Sequence, residues 1–197
     1  LDCRTIESKA YKIDFKEHQL MLMNTNVKHS LSDSAYNDRR SACESIAALL
    51  KIETLRDATE KDLEKIIDKV TPENYQKGLY VIQEIDRTQK AAKAIEENDL
   101  ETLGALIYAS HNGLQNQYKV SCDELDFLIT QAKKNKHVLG ARMMGGGFGG
   151  CTINLIAKTE AKEFAEVASK AYHKKFNKEC SVYFIELSEG TRLVEGK

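Results

Sequence analysis

The spacing of apolar and polar residues divides the chain into strand-like runs near its two ends and amphipathic helical stripes between them. Leu20-Met-Leu-Met-Asn-Thr25 is a short apolar run suited to a buried strand, and Leu1-Asp-Cys-Arg-Thr-Ile6 also reads like the inside of a strand. Ser32 or Asp33 can cap a helix whose apolar stripe is Tyr36, Cys43, Ile46, Ala47 and Leu50. Residues 60–69 suggest a short charged helix. Thr71-Pro72-Glu73 is a helix start, with Thr as cap and Pro in the first turn, and the helix it opens runs to about Glu97. It stops near Asn98-Asp99, and Asp99 caps the next, with Leu100, Leu103, Ile107 and Leu114 on its inner face.

Further along, Ser121-x-x-Glu124 has the form of a capping box ahead of Leu125, Leu128, Ile129 and Ala132. Cys151 to Ala157 alternates like a strand. Thr159 precedes a helix with the regular stripe Ala161, Phe164, Ala165, Ala168, Ala171 and Tyr172. Ser181 to Leu187 is a strand, with Thr191-Arg-Leu-Val194 as a short pairing strand across the Glu189-Gly190 turn. Strands at both ends of a helical middle predict an α+β layered domain.

Between the last two groups lies Gly140-Ala-Arg-Met-Met-Gly-Gly-Gly-Phe-Gly-Gly-Cys-Thr-Ile-Asn-Leu155, where Gly145–Gly150 holds five of the chain's eleven glycines. Glycine reaches φ > 0 cheaply and lets a ligand or a second backbone approach its N–H group, so such a loop can cradle an anion. Gly145, Gly147 and Gly150 satisfy G-x-G-x-x-G literally, but that fingerprint needs a helix after it, and here a strand follows. No Gly-Lys-Ser/Thr closes the run, so it is not a Walker loop either. A plain glycine turn between a helix and a strand is the simpler alternative.

Composition narrows the classes. Apolar residues at 42% and charged residues at 30% describe an ordinary globular chain, and 197 residues can bury one good core, with room for a small satellite lobe. A net charge of −1 offers no general attraction to nucleic acid or anionic lipid. No run approaches a membrane span, and the N-terminus has no signal-peptide layout. The five cysteines are scattered without a C-x-x-C pair, and the five histidines show no H-E-x-x-H. Reduced thiols and a cytoplasmic location follow as the expectation, with no metal site built from this chain's own residues. Cys43 and Cys151 fall on apolar faces and read as buried structural residues. The chain starts without Met, and it is expected to be a piece whose start lies elsewhere.

Four ordered segments carry a family resemblance. Asn24-Thr-Asn-Val-Lys-His-Ser-Leu31 with Ser34-Ala-Tyr-Asn-Asp-Arg-Arg40 closely resembles the segment after the catalytic region of galactokinases, and Leu1–Glu7 resembles the strand before it. Ser121-Cys-Asp-Glu-Leu-Asp126 is similar to the family's capping box, and Gly140–Thr152 to the third, glycine-rich signature of the GHMP small-molecule kinases. The resemblance covers essentially the whole chain. It implies a C-terminal GHMP-kinase-like domain over residues 1–197, a largely antiparallel sheet packed with helices, with residues 1–19 at the edge of an absent N-terminal domain.

The activity implied by the resemblance is phosphoryl transfer from ATP to the anomeric hydroxyl of galactose, with Mg²⁺ sharing the charge. The family's catalytic aspartate, its arginine and its phosphate-binding loop lie upstream of the matched segments, so the chain alone is expected to be inactive and to hold no Mg²⁺ ligand. Tyr36 matches the tyrosine that hydrogen-bonds the sugar; its alternative is a ring packed at a helix start. Gly145, Gly146, Gly147, Phe148, Gly149 and Gly150 match the active-site floor near the phosphates, either touching ATP or supporting the loop that does. Lys28 is either phosphate-facing or a solvated surface lysine, and Arg142 is read as pairing with a carboxylate. Galactose and ATP are the implied ligands, and the absent N-terminal domain is the implied partner, leaving bare apolar surface that could drive self-association. A sugar- and ATP-responsive regulatory relative, an N-acetylgalactosamine kinase and a purely structural α+β domain stay open as alternatives. The first readings require Tyr36 and the glycine loop to face one exposed cleft.

Overall fold

The structure is a computed structural model that describes residues 1–27 and 32–188 and, of 32–35, the backbone alone. Four strands form one sheet in the order β2-β3-β1-β4, every neighbouring pair antiparallel. The strands are β1 (His18–Asn24), β2 (Val138–Met143), β3 (Cys151–Ala157) and β4 (Ser181–Ile185). Six α-helices accompany them: α1 (Ser32–Leu50), α2 (Glu60–Glu64), α3 (Pro72–Glu96), α4 (Leu100–Asn116), α5 (Asp123–Lys134) and α6 (Ala161–Phe176). The α+β class and the antiparallel sheet packed with helices are therefore as the pattern and the resemblance imply.

Alternation along the strands sends neighbouring residues to opposite faces, and helices cover both. Met21 and Met23 of β1 and Ile156 of β3 pack with Leu128, Ile129, Phe164, Ala168 and Tyr172 of α5 and α6. Leu155, one residue before Ile156, belongs instead to the cluster with Ala94, Leu100 and Leu103 of α3 and α4. A second lobe holds α1, α2 and α3 together through Ile46, Ala47, Leu63 and Ile82.

The caps read from sequence explain several boundaries. The Thr71 hydroxyl accepts from the Asn74 N–H at 3.2 Å and Pro72 opens α3; the Asp99 carboxylate accepts from the Thr102 N–H at 2.9 Å and opens α4. Asn98, at φ 52°, ends the preceding turn in the left-handed region.

Three expectations need correction, and three more lie outside the described residues. Leu1–Ile6 is not a strand: a turn closes it, with the Ile6 N–H donating to the Asp2 carbonyl at 2.8 Å, and Leu1 and Ile6 are exposed. Its hydrogen bonds are satisfied locally, and its charges are held by the α1–α2 connection, Arg4 with Asp57 at 2.8 Å and Asp2 with Arg56. The Ser121–Glu124 capping box does not form. Cys122 occupies the cap position, the Ser121 hydroxyl donates to Asp126, and Glu124 pairs with Lys178 at 2.8 Å. The glycine run is preceded by a strand, β2, rather than by a helix, so it is the turn of an antiparallel hairpin. The β2 sequence Val-Leu-Gly-Ala-Arg-Met lacks alternation because Gly140 serves a helix crossing: a Cβ there would lie 2.4 Å from the Gly104 carbonyl oxygen of α4. Lys28, the Thr191–Val194 strand and the capping side chains at Ser32 and Asp33 lie outside the described residues.

Candidate functional site

A cleft of about 620 Å³ opens where the N-terminal end of α1 meets the β2–β3 turn. Tyr36, Asn37 and Arg39 of α1 form one wall, and Gly145, Gly146 and Phe148 of the turn form the other. Leu114, Tyr118 and Val120, from the end of α4 and the connection to α5, make the floor. Tyr36 and the glycine loop thus face a common cleft.

The loop is held by contacts that the glycines permit. Gly147 has φ +90°, and a Cβ on it would stand 2.1 Å from the Val120 carbonyl oxygen. That oxygen accepts from the Phe148 N–H at 2.8 Å, so the hairpin tip is bonded directly to the backbone of the α4–α5 connection. Gly149 has φ +143° and would bring a Cβ within 2.8 Å of the Val27 carbonyl oxygen. The Gly150 carbonyl accepts from both the N–H and the hydroxyl of buried Thr25, each at 2.9 Å. Gly145 and Gly146 differ: a Cβ on either meets nothing within 4 Å, and both border the open cleft. The six-residue loop therefore divides into a gripped part, 147–150, and a part open to a ligand, 145–146.

Tyr36 is 69% exposed, so its ring is not packed at the helix start. Its phenol is free to hydrogen-bond a polar ligand. Arg39 stands one helical turn away with its side chain only 12% exposed. Its Nε donates to the Tyr118 carbonyl at 3.0 Å and its Nη2 to the Lys119 carbonyl at 2.7 Å, and the guanidinium lies 5.7 Å from the Phe148 ring centroid. Burial pushes the Tyr118 phenol up to about 12, so at neutral pH it is a hydrogen-bond donor rather than a base. Among the described residues no carboxylate lines this cleft and no cluster of three His, Cys, Asp or Glu side chains occurs. The described lining, which is aromatic, aliphatic, amide, guanidinium and glycine backbone, does not fit Mg²⁺.

Beneath the loop, polar side chains fix β2 and α4. Buried His111 accepts the Met143 N–H at Nδ1, 3.4 Å away, which leaves the ring proton on Nε2, 3.4 Å from Asp126 Oδ1. Ser121 and Gln115 donate to Asp126. Arg142 pairs with Glu84 at 3.4 Å and donates to the Ser110 hydroxyl at 3.0 Å, the carboxylate-paired role its sequence position suggested. Cys43 and Cys151 are partly buried and their thiols are pushed up by burial, the opposite of an activated nucleophile.

Of the residues that line this cleft, the sequence singled out Tyr36, Gly145, Gly146 and Phe148 but not Asn37, Arg39, Leu114, Tyr118 or Val120 as candidates. For Arg39 a signal existed: it is three residues from Tyr36 and so shares its helix face. Tyr118 and Val120 reach the cleft only through the path of the α4–α5 connection, which no local pattern encodes.

Comparison with known proteins agrees with this architecture. Residues 91–174 match the family described as GHMP kinases C terminal. The chain is 36% identical over 194 residues to a galactokinase of Thermotoga neapolitana, covering 98% of this chain and 54% of that protein. It is 38% identical over 199 residues to a galactokinase of Clostridium beijerinckii, covering 98% and 51%. The chain thus spans about half the length of the curated relatives it matches. Among solved structures, the Lactococcus lactis galactokinase complexed with galactose superposes with a TM-score of 0.86 at 31% identity, over 93% of this chain and 49% of that one. A mevalonate kinase of L. major complexed with R-mevalonate shares the fold at a TM-score of 0.55 and 21% identity, over 87% and 43%. No helix among the described residues is long and apolar enough to cross a membrane. Residues 91–174 therefore carry a GHMP kinase C-terminal domain, in a chain that is similar along its length to one half of galactokinases.

Proposed function

We propose that the cleft between α1 and the glycine hairpin is one wall of a galactokinase site, completed by an N-terminal half in a longer protein. The observation that carries this reading is the meeting of Tyr36 with Gly145 and Gly146 across one open cleft. In this reading the Tyr36 phenol hydrogen-bonds galactose, and Gly145–Gly150 forms the floor beneath the ATP phosphates. Gly145 and Gly146 approach the ligand, while Gly147, Phe148, Gly149 and Gly150 hold the turn in place. Phosphoryl transfer rests on positioning and electrostatic stabilisation, and this chain supplies positioning. In this reading the base, the charge-stabilising arginine and the Mg²⁺ ligands come from the other half, as the resemblance to galactokinases implies. In this reading exposed Tyr36 and Met144, the residue before Gly145, belong to the surface that half would cover.

The test is an assay of ATP-dependent galactose 1-phosphate formation by the 197-residue chain alone and by the intact gene product that contains it. The chain alone is expected to give none and the intact protein to turn over. Tyr36→Phe in the intact protein is expected to raise KM for galactose about tenfold, the loss of one good hydrogen bond. Turnover by the isolated chain, or no effect of Tyr36→Phe on galactose, would sink the reading.

A further inference from the structure

We propose that Arg39 is a positioning residue that couples the Tyr36 end of α1 to the glycine hairpin, fixing the spacing between the two walls of the cleft. The ligand assignment of those walls rests on the galactokinase reading above; the mechanical coupling does not.

The argument begins with the three-residue strap 118–120. Arg39 grips it from one side through the Tyr118 carbonyl at 3.0 Å and the Lys119 carbonyl at 2.7 Å. The hairpin grips it from the other through the Phe148 N–H on the Val120 carbonyl at 2.8 Å. Gly147 leaves no room for a spacer, so hairpin and strap are in backbone contact. The Arg39 guanidinium also sits over the Phe148 ring at 5.7 Å, which closes a circuit of helix, strap and loop. Lys119 adopts φ 53°, so the strap is bent at the residue Arg39 holds.

Three features make this a coupling rather than an incidental contact. Tyr36 and Arg39 lie three residues apart on one helix face, so a rotation of α1 that moves one moves the other. The guanidinium is a planar fork that serves two carbonyls at fixed separation, which an ammonium cannot copy. The next residue back, Asp38, is tied to Lys77 of α3 at 2.7 Å, so the turn bearing Tyr36 is held on two sides.

The test is backbone amide exchange on the 197-residue chain. Arg39→Gln is expected to speed exchange at the Phe148 amide and at residues 37–40 about tenfold or more, while the β1–β3 ladder keeps its rate. Arg39→Lys, the milder change, is expected to fall between. The decisive measurement is a cycle with Phe148→Leu: it should speed exchange at residues 37–40 when Arg39 is present and add nothing in the Arg39→Gln background. An unchanged α1 in the first background, an equal effect in both, or a uniform rise along the whole chain overturns the proposal. In the intact protein, Arg39→Lys is expected to raise KM for galactose and ATP together. A wild-type protein without galactose turnover would sink the galactokinase reading while leaving the exchange cycle to decide the coupling.

Discussion

The Phe148 amide donates to the Val120 carbonyl oxygen at 2.8 Å, and a Cβ at residue 147 would stand 2.1 Å from that same oxygen. One carbonyl thus sets both the bond that holds the hairpin tip and the steric limit on its neighbour.

Gly147→Ala is accordingly expected to destabilise strongly. It places a side chain in the left-handed region, about 1–2 kcal/mol, and forces backbone to move, together about 3 kcal/mol. Gly146→Ala, which meets nothing within 4 Å, is expected to stay within about 0.5 kcal/mol of wild type. Urea denaturation midpoints of the two variants check the contrast. An equal response would mean that the loop is not gripped at 147.

The crossing of α4 over β2 gives a second steric test. A Cβ at Gly104 would lie 2.3 Å from the Leu139 carbonyl oxygen. Gly104→Ala must separate helix and strand and is expected to cost about 1–3 kcal/mol, despite alanine's better helix propensity. Thermal unfolding reads the sign directly: propensity alone would predict a gain.

Lys77 and Asp38 should respond asymmetrically. The Lys77 side chain is 2% exposed, whereas Asp38 is 55% exposed. Asp38→Asn strips a buried cation of its nearer carboxylate, leaving Glu73 at 3.3 Å, and is expected to cost about 2 kcal/mol. Lys77→Met leaves Asp38, already exposed, beside Arg39 at 3.3 Å and keeps the packing, and is expected to cost less. Chemical denaturation of both single variants and the double variant orders them, and a more damaging Lys77→Met would contradict the burial argument.

Asp126 predicts a pH dependence. Burial works to raise its pKa, but the contacts from His111, Ser121 and Gln115 outweigh burial and hold the carboxyl below its ordinary value. A carboxyl lowered in the folded state adds stability that is present above the unfolded pKa, about 3.9, and lost as pH falls below it. Wild type and Asp126→Asn should therefore differ most near neutral pH and converge in acid. Denaturation midpoints at a series of pH values from neutral to acid test this; a constant difference would remove the carboxylate from the account.

Where the signal was local, sequence and structure coincide. Thr71 and Asp99 begin their helices because each cap needs only a side chain and an N–H three residues on, and Cys151–Ala157 is a strand as its alternation implies. The Ser121 cap failed because its hydroxyl met a better acceptor, the Asp126 carboxylate, one turn into the helix. β2 was illegible because Gly140 answers to Gly104 of α4 rather than to its own strand neighbours. Leu1–Ile6 has the composition of a strand, but a strand forms only against a partner ladder, and this segment closes on itself.

By itself the sequence determined the α+β class, most helix limits, and the identities of Tyr36 and the glycine run as the residues to watch. These depend on spacing, capping and backbone freedom, which act over a few residues. Tertiary structure alone decided that Tyr36 and Gly145–Gly146 share a cleft, that Gly147–Gly150 are gripped, and that Arg39 ties the two walls together. Those relations run through the carbonyls of residues 118–120 and through Thr25 and Val27. Every residue has a carbonyl, so only the path of the folded chain can single these out.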